Sequence, residues 1–263
     1  MQKQGFALSV EELALGFSLL DEAQKAHDLM VAQLGEMTPE EARARLLAAS
    51  HGLLARGLLS IGEEGKIHLE PSLERMVRAL IAPTFSLQYS RAYRDAKFVL
   101  AYHFTNGLVL AHWLEGGVVH RIIEVEKREA VVEGGMDFFN VAGAASFRCP
   151  PTEIPYDVMG QIKDEDDPAI VLRRLAEGGV EKTTREMLAE DVERTEYRGS
   201  ILRVEYDEDK PSRSDQGLLV LRGRERLWLF RVAQKGDKPF VVILPGTEEV
   251  FRKEVEALIE GGS

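Results

Sequence analysis

One cysteine, Cys149, stands alone among 263 residues, which excludes an intrachain disulfide. A chain of this length buries enough apolar surface to fold without a cross-link, and a lone thiol fits a reducing compartment. Long apolar runs are also missing. The longest, such as Phe240 to Leu244, have the length of a strand, far from the roughly 20 residues that cross a bilayer. Met1-Gln2-Lys3-Gln4-Gly5-Phe6 has no apolar stretch behind its single charge, so it does not read as a secretory signal. A cytoplasmic protein is expected. Positive charge is scarce: 33 Lys and Arg face 44 Asp and Glu, a net of −11, and no basic run forms a patch. A nucleic-acid backbone would meet a repulsive mean field, so nucleic acid is disfavoured as the main partner. Gly-x-Ser-x-Gly, Gly-x-Gly-x-x-Gly, His-Glu-x-x-His and a Walker loop are all missing. No catalytic or cofactor-binding residue is named on this basis, no cofactor is expected, and a non-enzymatic protein is.

What is present begins with helices. Ser9-Val10-Glu11-Glu12 has capping-box spacing and opens a helix predicted to run to Leu34 and stop at Gly35, with Leu13, Phe17, Leu20 and Gln24 on one face. Thr38-Pro39-Glu40-Glu41 starts a second helix, carrying Leu46, Leu47, Leu53 and Leu54 and ending near Gly57. Ser60 to Leu69 reads as a β-hairpin with a glycine-containing turn, and a third helix follows Pro71 and ends before Pro83. Helix, Leu-rich turn, hairpin and helix together form the pattern of a winged-helix module.

From Leu87 the pattern changes to strands. Lys97 to Phe104, Leu108 to Leu114 and Val118 to Glu126 are separated by Asn106-Gly107 and Gly116-Gly117, both read as two-residue hairpin turns. Gly134-Gly135 and Gly143 to Pro155 read as irregular. Asp164 to Asp167 before Pro168 is expected to open a helix, Gly178-Gly179 breaks it, and a further helix covers Lys182 to Thr195. Strands return at Ser200 to Tyr206, Gly217 to Leu221, Arg226 to Val232 and Phe240 to Leu244, with Asp207 to Gln216 expected as a polar loop. Thr247 caps a last helix. The fold class is α+β: a winged-helix-like helical segment over residues 1–83, a first antiparallel meander with its connector over 84–155, and helices, a second meander and a C-terminal helix over 156–263. Residues 84–263 are also readable as one domain.

Candidate chemistry is sparse. With the two-residue turns above, His103 and His112 share one sheet face and His120 opposes Trp113 on the other, so three imidazoles would not converge and no metal site is expected. Asp164 to Asp167 lacks the alternating spacing of a calcium loop. Cys149 precedes Pro150-Pro151, which offers no helix N-terminus to activate the thiol. Under a DNA-binding regulator reading, in which a sheet domain senses a ligand or partner, the contacts would come from Arg43, Arg45, Arg56 and Lys66. Against that, residues 1–82 hold 8 Lys and Arg and 12 Asp and Glu, a net of −4, and the hairpin tip is Glu63-Glu64. Charge favours a protein-contact surface.

The run Leu53-Leu54-Ala55-Arg56-Gly57-Leu58-Leu59, the Gly65 turn, Leu69-Glu70-Pro71-Ser72-Leu73 and Arg78-Ala79-Leu80-Ile81-Ala82-Pro83 leading into strands resemble the EspG family, cytosolic chaperones of type VII secretion. The motif likeness covers residues 46–83; the rest follows in order of elements. The resemblance implies a chaperone-like adaptor that keeps a secreted protein partner soluble. No residue pattern matches the family's partner-binding positions, so none is assigned.

Overall fold

The computed structural model describes residues 5–94, 96–162, 165, 167–207, 210–235 and 238–261. The chain starts with β1 (Gly5–Ser9), which runs directly into α1 (Val10–Leu19). Ser9 makes that junction: its hydroxyl accepts from the Glu12 N–H at 3.1 Å while the Glu12 carboxylate accepts from the Ser9 N–H at 3.0 Å. The single helix expected to Leu34 is two helices, α1 and α2 (Ala23–Leu34). They part at Asp21, which takes a left-handed φ of 65° that aspartate tolerates. The break folds α2 back, so that Ala26 and Met30 pack against Val10 and Ala14, a contact one straight helix cannot make with itself.

α3 (Pro39–Ala55) carries the second capping box, between Thr38 and Glu41. The predicted hairpin is present as β2 (Leu59–Ile61) and β3 (Ile67–Leu69), joined by a tight turn. α4 (Pro71–Ile81) follows, its first turn capped by the Glu70 carboxylate, which accepts from the Leu73 N–H at 2.8 Å. Then come β4 (Phe85–Tyr93), β5 (Ala96–Thr105), β6 (Leu108–Glu115) and β7 (Val119–Glu124).

Gly134 and Gly135 do not break the chain; they lie inside α5 (Glu129–Phe138). A Cβ on Gly135 would sit 2.5 Å from the Tyr89 ring, so this glycine serves a close approach, not a turn. Part of the supposed connector is a strand, β8 (Thr152–Pro155), with its proline at a sheet edge where no ladder bond is lost. α6 (Tyr156–Ile162), α7 (Pro168–Glu177) and α8 (Lys182–Glu193) follow. Asp167 caps α7 as expected, accepting from the Ala169 N–H at 2.8 Å, whereas Asp164 and Asp166 lie outside the described residues.

β9 (Tyr197–Asp207), β10 (Lys210–Arg222), β11 (Leu227–Lys235) and β12 (Lys238–Pro245) complete the strands. The polar loop expected from Asp207 to Gln216 is instead strand for most of its length, because pairing holds backbone irrespective of side-chain polarity; Glu208 and Asp209 lie outside the described residues. α9 (Glu248–Glu260) closes the fold, capped by Thr247.

The strands form one ten-stranded antiparallel sheet, in the order β1-β7-β6-β5-β4-β9-β10-β11-β12-β8, and a separate sheet of β2 and β3. With nine α-helices among the described residues, this is the α+β class. Two compact units divide the chain: Met1–Ser86 with Ala101–Arg128 and Tyr206–Lys210, and Leu87–Leu100 with Glu129–Glu205 and Pro211–Ser263. In the first, Leu13, Leu53, Leu73 and Met76 from the helices bury Leu8, Leu110 and Ile122 of the sheet. In the second, Val171, Leu175 and Leu188 cover Trp228, Phe230 and Ile243 on one sheet face, and Phe139 meets Phe251 of α9 at a ring distance of 6.0 Å.

Candidate functional site

α3 buries Ala49 and Leu53, with Ala42 and Leu46 packed beside the core, and turns its remaining face to solvent. Arg43 lies on that exposed face. Arg45 is bound to Glu11 at 3.0 Å, Arg56 to Glu12 at 3.3 Å, and Lys66 to Glu64 at 3.3 Å. Arg56 also donates to the Ala7 carbonyl at 3.0 Å. Three of the four cations considered as nucleic-acid contacts therefore already face carboxylates. The same elements also carry exposed apolar side chains: Leu47 is 58% exposed, Ile61 61% and Ile67 47%. The helices put these side chains outside for a simple reason. The i, i+4, i+7, i+11 positions of α3 fill the core, and Leu47 falls between them.

The histidines differ from their expected placement. The β6–β7 register pairs Glu115 with Val119 and Leu114 with His120, so the loop holds three residues, 116 to 118, not two. Gly116 and Gly117 both take left-handed φ, at 58° and 77°, and Val118 completes the turn. A slip of one residue moves every side chain to the opposite face. His120 thus joins His112 and His103. Ser86 Oγ lies 2.8 Å from His103 Nδ1, His103 Nε2 lies 3.4 Å from His112 Nδ1, and His112 Nε2 lies 2.8 Å from His120 Nδ1. His120 is 2% exposed, and its Nε2 has no hydrogen-bond partner among the described residues. Burial pushes the imidazoles of His103 and His120 down to about 4. It pushes that of His112 to about 3, helped by the neighbouring imidazoles.

This file is neutral at physiological pH. Its nitrogens point at one another in series instead of converging on a point, which is hydrogen-bond geometry and not metal-ligand geometry. No group of three or more potential ligands able to hold a metal occurs among the described residues.

In the second unit, α6, α7 and α8 leave a cavity of about 170 Å³ against the sheet, lined by Met159, Leu188, Leu219 and Phe230 among others, with Arg198 as its charged lining residue. Nearby, Asp191 is buried, and one oxygen of its carboxylate takes two hydrogen bonds. It accepts from Arg226 Nε at 2.6 Å and from Trp228 Nε1 at 2.8 Å. Sequence reasoning missed this clamp, since its members are separated by more than thirty residues. Burial pushes the Cys149 thiol up to about 11, opposite to the shift that makes a thiolate nucleophile. No helix among the described residues is long and apolar enough to cross a membrane.

The ten-stranded antiparallel sheet with this helix order is a fold already represented among solved structures. The structure of the chaperone EspG5 of Mycobacterium tuberculosis, solved in complex with a PE25-PPE41 dimer, matches with a TM-score of 0.72 at 10% identity, over 98% of this chain and 96% of that one. In sequence the chain belongs to the family described as "Uncharacterised protein YfjC", matched over residues 5–252. No curated protein matches it.

Proposed function

We propose that this protein is a non-enzymatic adaptor of chaperone type, which binds another protein in the cytoplasm and serves a secretion route. The observation that carries the reading is the surface of the first unit, where Arg45, Arg56 and Lys66 are paired with glutamates while Leu47, Ile61 and Ile67 stay in water. Apolar side chains exposed among neutralised charges suit protein contact and give little hold on a phosphate backbone. The net charge of −11 points the same way. The fold shared with EspG5, whose structure holds a bound protein dimer, supports the chaperone class.

The test is capture from native lysate with the full chain as bait, beside a gel shift against random genomic DNA at low salt. A stoichiometric protein partner, retained at high salt, is expected. Salt-sensitive DNA binding lost on Arg43→Ala, or turnover of a small molecule in a broad activity screen, would overturn the reading.

A further inference from the structure

The hairpin of β2 and β3 forms a sheet of only two strands, so neither strand has a neighbour on its outer side within that sheet. Its register pairs Leu59 with Leu69, Ser60 with His68 and Ile61 with Ile67. The Glu70 N–H donates to the Leu58 carbonyl at 3.0 Å and the Gly62 N–H donates to the Lys66 carbonyl at 2.7 Å. Since the two kinds of antiparallel pair alternate, 58/70, 60/68 and 62/66 exchange the hydrogen bonds, and 59/69 and 61/67 do not. Two consequences follow from that alternation. Side chains of non-bonded pairs stand closest together, so Ile61 and Ile67 make one apolar knob. Their own N–H and C=O groups point outward, away from the partner strand.

The knob continues the core. Leu59 and Leu69 lie on the same face and are 4% and 5% exposed, buried among the leucines of the first unit. One pair further out, burial ends abruptly, at 61% and 47% exposure. Soluble proteins usually blunt an open strand edge with charge or proline, and two β-branched apolar side chains do the opposite. Around them the hairpin and its exit, residues 59–70, hold Glu63, Glu64 and Glu70 against Lys66 alone. Lys66 is taken by Glu64, and Glu70 by the start of α4.

We infer that this hairpin is a docking edge for an extended, basic segment of a partner protein, with apolar side chains alternating with Lys or Arg. Such a segment adds a third strand. Its apolar residues cover Ile61 and Ile67, and its cations meet Glu63 and the hairpin's surplus negative charge. The inference rests on the protein-binding reading above and assigns it a partner chemistry.

Fluorescence anisotropy on the full chain tests it with three labelled peptides: alternating Val and Lys, alternating Val and Glu, and a Leu–Lys peptide patterned as an amphipathic helix. The Val–Lys peptide is expected to bind at least about tenfold more tightly than either of the others. Ile61→Ser combined with Ile67→Ser should weaken it by about tenfold or more, and Ile61→Val with Ile67→Val should not. Both isoleucines are exposed, so an unchanged thermal melt will show that the double serine variant folds. Equal binding by that variant, or a preference for the helical peptide, overturns the inference. If the variant captures the lysate partner as well as the unaltered chain does, the docking edge is wrong and the adaptor reading stands. If the unaltered chain captures nothing, both fall.

Discussion

Each unit buries polar side chains, and they do so by opposite means. In the second, the carboxylate of Asp191 lies between the Arg226 guanidinium and the Trp228 indole N–H, and Arg226 also reaches Glu190 at 2.6 Å. Charge is buried there together with its countercharge. In the first, Ser86 and His120 are buried and His103 and His112 half-buried, with no opposite charge in the file, and they remain because they stay neutral. Glu124, farther along β7 on the same face as His120, is committed to Arg75, whose Nη1 donates to its Oε1 at 3.3 Å and whose Nη2 donates to its Oε2. An ion pair keeps its strength across the neutral pH range. A neutral file does not, because the unfolded chain takes up protons the folded one refuses. The units should therefore differ in what destabilises them.

Acid gives the largest separation. Imidazoles held at about 3 to 4 in the fold titrate near 6.5 when unfolded. Their neutral form is favoured by folding, so the stability they support is complete above the unfolded value and is lost as pH falls from 6.5 toward 4. Each can cost up to about 2 kcal/mol between pH 7 and pH 5. Urea midpoints measured across that range should fall steeply, and the fall should flatten when His103, His112 and His120 are replaced by Asn together. A midpoint flat from pH 7 to pH 5 in the unaltered chain would remove the contrast. Asp191→Ala comes next. It strands the buried Trp228 indole N–H, while Arg226 keeps Glu190, and should cost about 1–3 kcal/mol, seen as a lower urea midpoint at every pH in that range. Gly223→Ala attacks the same clamp by shape, since its Cβ would collide with the Asp191 carboxylate. It should cost about 1–3 kcal/mol, again without dependence on pH.

The contrast was only partly visible in the sequence, for reasons that particular residues show. Ser9 with Glu12, Thr38 with Glu41, Asp167 and Thr247 announce their helices because donor and acceptor are near in sequence. Gly116-Gly117 announced a turn without its length. One extra loop residue, Val118, decides whether His120 joins the file. Gly135 reads as irregular because the sequence cannot show that Tyr89 will press against it. Asp191, Arg226 and Trp228 had no local signal at all, being joined by the sheet and α8 alone. Ile61 and Ile67 were legible as strand residues, but the core that covers Leu59 and Leu69 and ends before them is a tertiary fact. The EspG-like layout could be read because order and spacing of elements outlast side-chain identity.

The smallest effect is also the sharpest test of how the histidine file is built. Each neutral imidazole has one N–H, and the end nitrogen, His120 Nε2, has no partner among the described residues. If every N–H were on Nε2, that end would strand a buried donor. If every N–H is on Nδ1, it leaves only a bare lone pair, which is the less costly omission. The second arrangement should hold: His120 donates to His112, His112 to His103, and His103 Nδ1–H to Ser86 Oγ. Nitrogen-15 shifts at neutral pH should then show three Nδ1–H tautomers, the minority form for free histidine. Ser86→Ala removes the last acceptor and strands the His103 N–H, at a cost of about 1 kcal/mol. It should leave the pH slope in place, because the desolvation of the imidazoles is unchanged. Three Nε2–H tautomers would reverse the direction of the file, with the Ser86 hydroxyl donating to His103 Nδ1 and the His120 N–H left as the stranded donor.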